Sequence, residues 1–165
     1  VNSFFNTPDR QDEFAKAAMR WHGTPFIHHA AVLGAGVDCV NLGREAYRMC
    51  GLVFDQALPG YTLDGGKHNP ESQLVAWLIE SGRFVKVWDP QTSILNPPSS
   101  LVSSGDTLCF KLGLSAHHAG FCIGGTQFVH CLFKREVMLG DLRDKTFARW
   151  LHSIWRPTSD LGGGS

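Results

Sequence analysis

A chain of 165 residues that is 43% apolar and 18% charged has enough apolar surface for a folded core and too little charge for a disordered segment. Lysine plus arginine balances aspartate plus glutamate at 15 each, which gives no electrostatic case for a nucleic-acid partner or an anionic membrane surface. No apolar run is long enough to span a bilayer and no basic start leads into an apolar stretch, so neither membrane insertion nor a signal peptide is expected.

Residues 1–160 read as one domain. Leu161 to Ser165 read as a flexible linker and carry no fold information. The five cysteines, Cys39, Cys50, Cys109, Cys122 and Cys131, are odd in number and lie in apolar segments. That pattern predicts free thiols and a reducing compartment during folding, not a disulfide framework.

Thr7-Pro8-Asp9 opens the first predicted helix, with a hydroxyl N-cap and proline at the first helical position. Phe14, Ala17, Ala18 and Trp21 follow on one face, and Gly23-Thr24-Pro25 breaks the run. Phe26 to Ala31 read as a loop or irregular extended chain bearing His28 and His29. Gly34-Ala35-Gly36 then leads into a second helix, roughly Cys39 to Cys50. Asp38 is its N-cap, Leu42 and Ala46 its apolar stripe, and Gly51 its stop.

Val53 to Lys67 read as a surface loop. Asn69-Pro70-Glu71 predicts the start of a third helix, with Leu74, Trp77 and Leu78 inward and Gly82 past its end. Phe84 to Trp88 alternates as a strand, and Asp89 to Ser104 is a Pro/Ser-rich loop. Further strands are expected over Thr107 to Leu112, His117 to Cys122, Thr126 to Phe133, Arg135 to Met138 and Ile154 to Arg156. A helical turn is expected at Phe147 to Leu151. Helices first and strands later predict an α+β fold on an antiparallel sheet.

Cys39 falls in the first turn of its helix. The positive end of the helix dipole and the unpaired N–H groups there predict a lowered thiol pKa and a nucleophile. The competing reading is a small apolar side chain, since free cysteine is among the most buried residue types. A thiolate nucleophile needs a histidine partner, and this chain has eight histidines.

His118 and His130 flank the Gly124-Gly125 connection. A three-residue loop, Ile123-Gly124-Gly125, would pair Cys122 with Thr126 and set His118 directly opposite His130. A strict two-residue loop would put them on opposite faces. On a regular strand His117 faces away from His118, so only one of the two would serve. Cys39, His118, His130 and Cys131 offer zinc-ligand types. No C-x-x-C or H-x-x-x-H spacing accompanies them, and Cys131 should face away from His130, so no metal is expected. Gly34-Ala35-Gly36 lacks the rest of a dinucleotide fingerprint, and no cofactor is expected. Trp21 and Trp77 fit the core by spacing.

Five blocks carry a resemblance. They are Trp21-His22-Gly23-Thr24-Pro25-Phe26, Gly36-Val37-Asp38-Cys39-Val40-Asn41-Leu42, Ser104-Gly105-Asp106-Thr107-Leu108, His118-Ala119-Gly120-Phe121 and Phe128-Val129-His130-Cys131. In this order and spacing the chain resembles the NlpC/P60 family of papain-like cysteine peptidases, and most of all its phage-tail and gene-transfer-agent branch. The resemblance implies a papain-like α+β fold, with the nucleophile at a helix start packed on an antiparallel sheet. It implies hydrolysis of peptidoglycan stem-peptide amide bonds, including a γ-D-glutamyl bond to the diamino acid. Cys39 would be the nucleophile, His118 the general base and His130 the orienting residue, with Phe26, Asp38, Val40 and His117 facing substrate. The tail branch implies other phage-tail tip proteins as partners and a place in the virion tail.

Three positions depart from the family pattern. Val40 replaces a serine that could bind a free amine, Asn41 replaces a glycine, and Phe26 replaces a tyrosine. A non-catalytic tail-tip plug and a thiol amidase or acyltransferase are the alternatives these departures leave open.

Overall fold

The computed structural model describes residues 2–55, 72–91, 97–114 and 116–159. The expected start of the third helix at Asn69-Pro70-Glu71 and the 161–165 tail lie outside the described residues. So do most of the Val53–Lys67 loop and the middle of the Asp89–Ser104 loop.

Helix α1 (Pro8–Met19) begins where the cap chemistry puts it, with the Thr7 hydroxyl accepting from Arg10 N–H. Phe14, Ala17 and Ala18 are buried, and Trp21 closes the same apolar surface. Helix α2 (Cys39–Met49) starts on Asp38, whose carboxylate accepts from Asn41 N–H at 2.9 Å. Helix α3 (Gln73–Glu80) is capped by Ser72 and buries Trp77 and Leu78.

The strands are β1 (Ala31–Val32), β2 (Gly36–Val37), β3 (Phe84–Trp88), β4 (Thr107–Lys111), β5 (Ala116–Gly124), β6 (Gln127–Cys131), β7 (Val137–Asp141) and β8 (Leu151–Pro157). A short helix, α4 (Lys145–Trp150), precedes β8. Strands β3 to β8 form one antiparallel sheet in the order β3-β8-β4-β5-β6-β7. This is the α+β architecture expected, with the N-terminal helices packed on one face of an antiparallel sheet.

Two local expectations change, and the segment after Pro25, read as loop or irregular extended chain, is tied down by backbone bonds. Gly23 and Phe26 donate to the carbonyls of Val137 and Arg135, and Val37 donates to Pro25. Beyond it, β1 and β2 form a two-stranded ribbon too short to leave a periodic signal. The strand expected at Arg135 to Met138 begins and ends later, because its early residues bridge to Pro25 instead of to the sheet.

The sheet has an apolar cluster on each face. On the helix side, Phe5, Phe14, Leu42, Ala46 and Tyr47 meet Cys109, Ala119, Phe121, Val129 and Cys131. On the other, Leu108, Phe110, Cys122, Phe128 and Ile154 are covered by Phe147 and Trp150 of α4.

Helix α2 lies close on β5 because Gly43 faces the Phe121 ring, where any Cβ would overlap it. The departure at Asn41 therefore does not set the approach of the helix; Asn41 is buried nearby, and Gly43 makes the close contact. At the far end of α2, the Tyr47 hydroxyl donates to Gly105 C=O at 2.8 Å and lies 2.6 Å from Thr107 Oγ1. That turn is held in place by a bidentate pair from Arg156 to Asp106, at 2.7 and 2.8 Å. The helix that carries Cys39 is thus packed close on the sheet midway along its length and tied to it at its far end.

Candidate active site

Cys39 is the first residue of α2 and is half-buried at the floor of a cleft. Asp38 fastens the chain on both sides of it. One carboxylate oxygen caps the helix and the other accepts from His29 N–H at 2.7 Å. His29 takes φ 63°, a left-handed conformation, to make that bond. Its ring stacks on His28 at 3.7 Å, and His28 Nδ1 lies 4.0 Å from the same carboxylate.

The thiol does not have the lowered pKa that its place at a helix start predicts. Burial pushes it up to about 12, against the pull of the Ala119, Cys39 and Val40 amides. The adjoining Asp38 charge pushes it further the same way. Desolvation outweighs the helix terminus here, and the resting group is a neutral thiol.

His118 and His130 are brought together. His118 Nε2 lies 3.0 Å from His130 Nδ1, and both rings are buried. The register is not the one expected. His130 stands opposite Gly120, so His118 is its diagonal neighbour on the same face. The turn is the two-residue Gly125-Thr126, which alone would separate the rings. A bulge at Ile123, between the Cys122–Phe128 and Gly124–Gln127 pairs, restores the shared face.

A second irregularity places His117. Between Phe110 and Lys111 of β4 the chain advances one residue, while β5 advances from His118 back to Ala116. His117 is the extra residue, and both His117 and His118 line the cleft. The expectation that only one of them could do so fails because a bulge breaks the alternation.

Burial pushes the pKa of His118 well below its ordinary value, and the neighbouring His130 and His117 charges add to this. Burial lowers His130 to about 4. His130 is walled by Phe128 at 5.1 Å and Phe147 at 5.0 Å, and His118 by Phe110 at 5.9 Å. Both imidazoles are neutral at pH 7. A neutral imidazole carries one donor and one acceptor nitrogen, so one ring donates to the other.

The cleft, of about 590 Å³ and open to solvent, has Phe26, Val40, Leu112, Leu132 and Phe133 as its apolar walls. Of the residues expected to face substrate, Phe26, Asp38, Val40 and His117 all line it. Sequence reasoning missed Phe133, which is 56% exposed and meets the Phe26 ring edge-on at 5.5 Å. It also missed Phe147, which shields His130 from a different element. Neither has a local signal, because both act through a partner distant in the chain. Cys131 does face away from His130, toward the helix layer. Among the described residues no group of three or more His, Cys, Asp or Glu side chains is placed to hold a metal ion. Among them, too, no helix is long and apolar enough to cross a membrane.

No family model matches the chain, and no curated protein matches it. Solved structures share its fold. The NlpC/P60 domain of the peptidoglycan hydrolase SagA superposes with a TM-score of 0.53 at 20% identity, over 87% of this chain and 96% of that one. A Staphylococcus aureus protein of the NLP/P60 family, described as similar to lipoprotein, gives 0.60 at 16% identity, over 97% of this chain and 45% of that one. An NlpC/P60 family protein from Bacillus cereus gives 0.53 at 18% identity, over 91% and 40%. The chain thus spans nearly all of the first and less than half the length of the other two. Its fold is that of NlpC/P60 domains, with N-terminal helices packed on a six-stranded antiparallel sheet.

Proposed function

We propose that this chain is a cysteine peptidase of the peptidoglycan-hydrolase type, with Cys39 as nucleophile, His118 as general base and His130 as the residue that orients it. One observation carries the reading. His118 lines the same cleft as a helix-start thiol, and behind it His130 holds it in a buried, hydrogen-bonded histidine pair.

The bond uses Nε2 of His118, which leaves its Nδ1 for the thiol. Base work at Nδ1 requires His118 to carry its proton on Nε2 and donate it to His130 Nδ1. His130 then selects the tautomer and holds the ring. Thiol and imidazole are both neutral at rest, so the proton passes to His118 as the sulfur attacks the carbonyl. The oxyanion is received by the Cys39 N–H at the helix start, which makes no bond within the helix. His118 protonates the leaving amine, and water cleaves the thioester.

The substrate read from the resemblance is a peptidoglycan stem peptide, cleaved at an amide such as the γ-D-glutamyl bond to the diamino acid. Support for a place at a phage-tail tip comes from the order of the sequence blocks alone. Antibody labelling of purified tails checks that place, and label absent from the particles would refute it.

The central test is a digest of purified peptidoglycan with mass spectrometry of the muropeptides. Cys39→Ala should reduce cleavage by roughly a thousandfold or more while leaving thermal unfolding nearly unchanged. A Cys39→Ala variant with full activity refutes the mechanism. The apolar walls formed by Phe26, Val40, Leu112, Leu132 and Phe133 favour a second reading, a thiol amidase or acyltransferase with an apolar acyl donor. Turnover of apolar acyl amides with no muropeptide cleavage would select it.

A further inference from the structure

Three thiols meet beneath the cleft, and the proposed reaction uses only one. Cys109 of β4 pairs with Ala119 of β5. On the other side of β5, Gly120 pairs with His130, so Cys131 stands beside Ala119. Cys109, Ala119 and Cys131 form a row across the sheet, buried and facing the helix layer.

Cys39 sits over the middle of that row, with the Ala119 amide directed at its sulfur. Neighbouring residues on one face of a sheet have Cβ atoms about 5 Å apart. Helix α2 packs on β6 as well as β5, and Cys131 Sγ lies 3.7 Å from the carbonyl of Val37, two residues before Cys39. Burial raises the pKa of both Cys109 and Cys131, and a charge at Cys39 adds to it at each.

The two lower thiols differ in access. Cys131 lines the cleft together with Cys39. Cys109 does not line it; it is fully buried, and its sulfur is engaged by Ser153.

We propose that Cys131 is a resolving thiol for Cys39: when a hydroperoxide oxidises Cys39, Cys131 closes a disulfide across the cleft floor and switches the site off reversibly. The inference rests on Cys39 being the reactive thiol of the site. The Cys39 sulfur attacks one peroxide oxygen, the O–O bond breaks, and the sulfur becomes a sulfenic acid as the other oxygen leaves as hydroxide and takes the Cys39 proton to become water. The Cys131 sulfur then attacks the Cys39 sulfur. An S–S bond forms, the S–O bond breaks, and the Cys131 proton leaves with the hydroxyl as water. Two thiols are oxidised, one peroxide is reduced and two waters result. The disulfide removes the nucleophile, and a dithiol reductant restores it.

The experiment exposes the full chain to hydrogen peroxide and reads intact mass and peptide maps. Wild type and Cys109→Ala should each lose two hydrogens and yield a Cys39–Cys131 cross-linked peptide that dithiothreitol removes. Cys131→Ala and Cys131→Ser, checked for native near-UV circular dichroism, should instead gain two oxygens at Cys39, several-fold faster than wild type. Sulfinic acid at Cys39 forming equally fast in wild type, a cross-link that uses Cys109, or no oxidation at Cys39 would each overturn the proposal. The peptidase reading fails separately. A Cys39 that cleaves muropeptides but forms no disulfide refutes only the resolving thiol, and one that forms the disulfide but cleaves nothing refutes only the peptidase.

Discussion

The two faces of the sheet carry the two halves of the candidate site, and they are built differently. On the helix face, Tyr47 is surrounded by Phe5, Phe14, Phe54, Phe84 and Phe121, with ring centroids 5.1 to 6.1 Å away. Its hydroxyl is spent on the Gly105–Thr107 turn. This face fixes a position: it locks α2, and with it Cys39. The opposite face has a smaller cluster with one short helix over it, and it sets a medium. Phe110, Phe128 and Phe147 pack around His118 and His130 and exclude water. The rings stay neutral there, as the proposed general base requires. Geometry is supplied by one face and protonation state by the other.

Phe128→Ala breaks the second face most directly. Phe128 is fully buried and touches Phe110, His130 and Phe147. Its loss should cost about 3–5 kcal/mol in urea unfolding. It should also let water reach His130, so that the ring titrates closer to its ordinary range by NMR. A variant equally destabilised but with His130 still depressed would show that the aromatic wall does not set the protonation state.

Next in size is the response to acid. His130 has a folded-state pKa lowered from 6.5 to about 4. Between those values the unfolded chain binds a proton that the folded chain refuses. Its contribution is present above pH 6.5 and is lost as pH falls toward 4, about 3 kcal/mol in all. His118 is lowered for the same reason and acts in the same direction. Urea midpoints measured from pH 7 down to pH 4 should fall steadily, and Phe128→Ala should flatten that slope.

Gly43→Ala tests the first face. The added methyl overlaps Phe121, and relief requires α2 to lift from β5. A loss of about 1–3 kcal/mol is expected, typical of an overpacked core. Activity should fall by more than that stability loss implies, because lifting α2 moves Cys39 from His118. A variant that is destabilised yet fully active would separate the packing of α2 from the placing of the thiol.

Much of this was legible where the signal is local. The Thr7 and Asp38 caps, the stripes through Phe14 and Leu42, and the alternation of Phe84 to Trp88 each mark an element within a few residues. The pairing of His118 with His130 was legible as a shared face but not as a register. The bulges at Ile123 and His117 decide that register, and an unpaired residue leaves no mark in a run of alternating types. The thiol pKa was misread for a related reason. A helix start is visible in sequence, but the burial that overrides it comes from β5 and β6, some eighty residues further along the chain.

The smallest expected effect concerns the anchor at the far end of α2. Tyr47→Phe keeps the ring contacts and removes only the hydroxyl that bonds Gly105 and approaches Thr107. One buried acceptor, Gly105 C=O, loses its donor and the Thr107 hydroxyl loses its acceptor, so about 1–2 kcal/mol of stability should go. If that tether merely stabilises the fold, peptidoglycan cleavage below the melting temperature should be unchanged. If it sets the register of α2, kcat should fall while KM holds, since Cys39 lies at the other end of the same rigid helix. Comparing that split with the one measured for Gly43→Ala would show whether the nucleophile is positioned by the packing along α2 or by the polar clamp at its end.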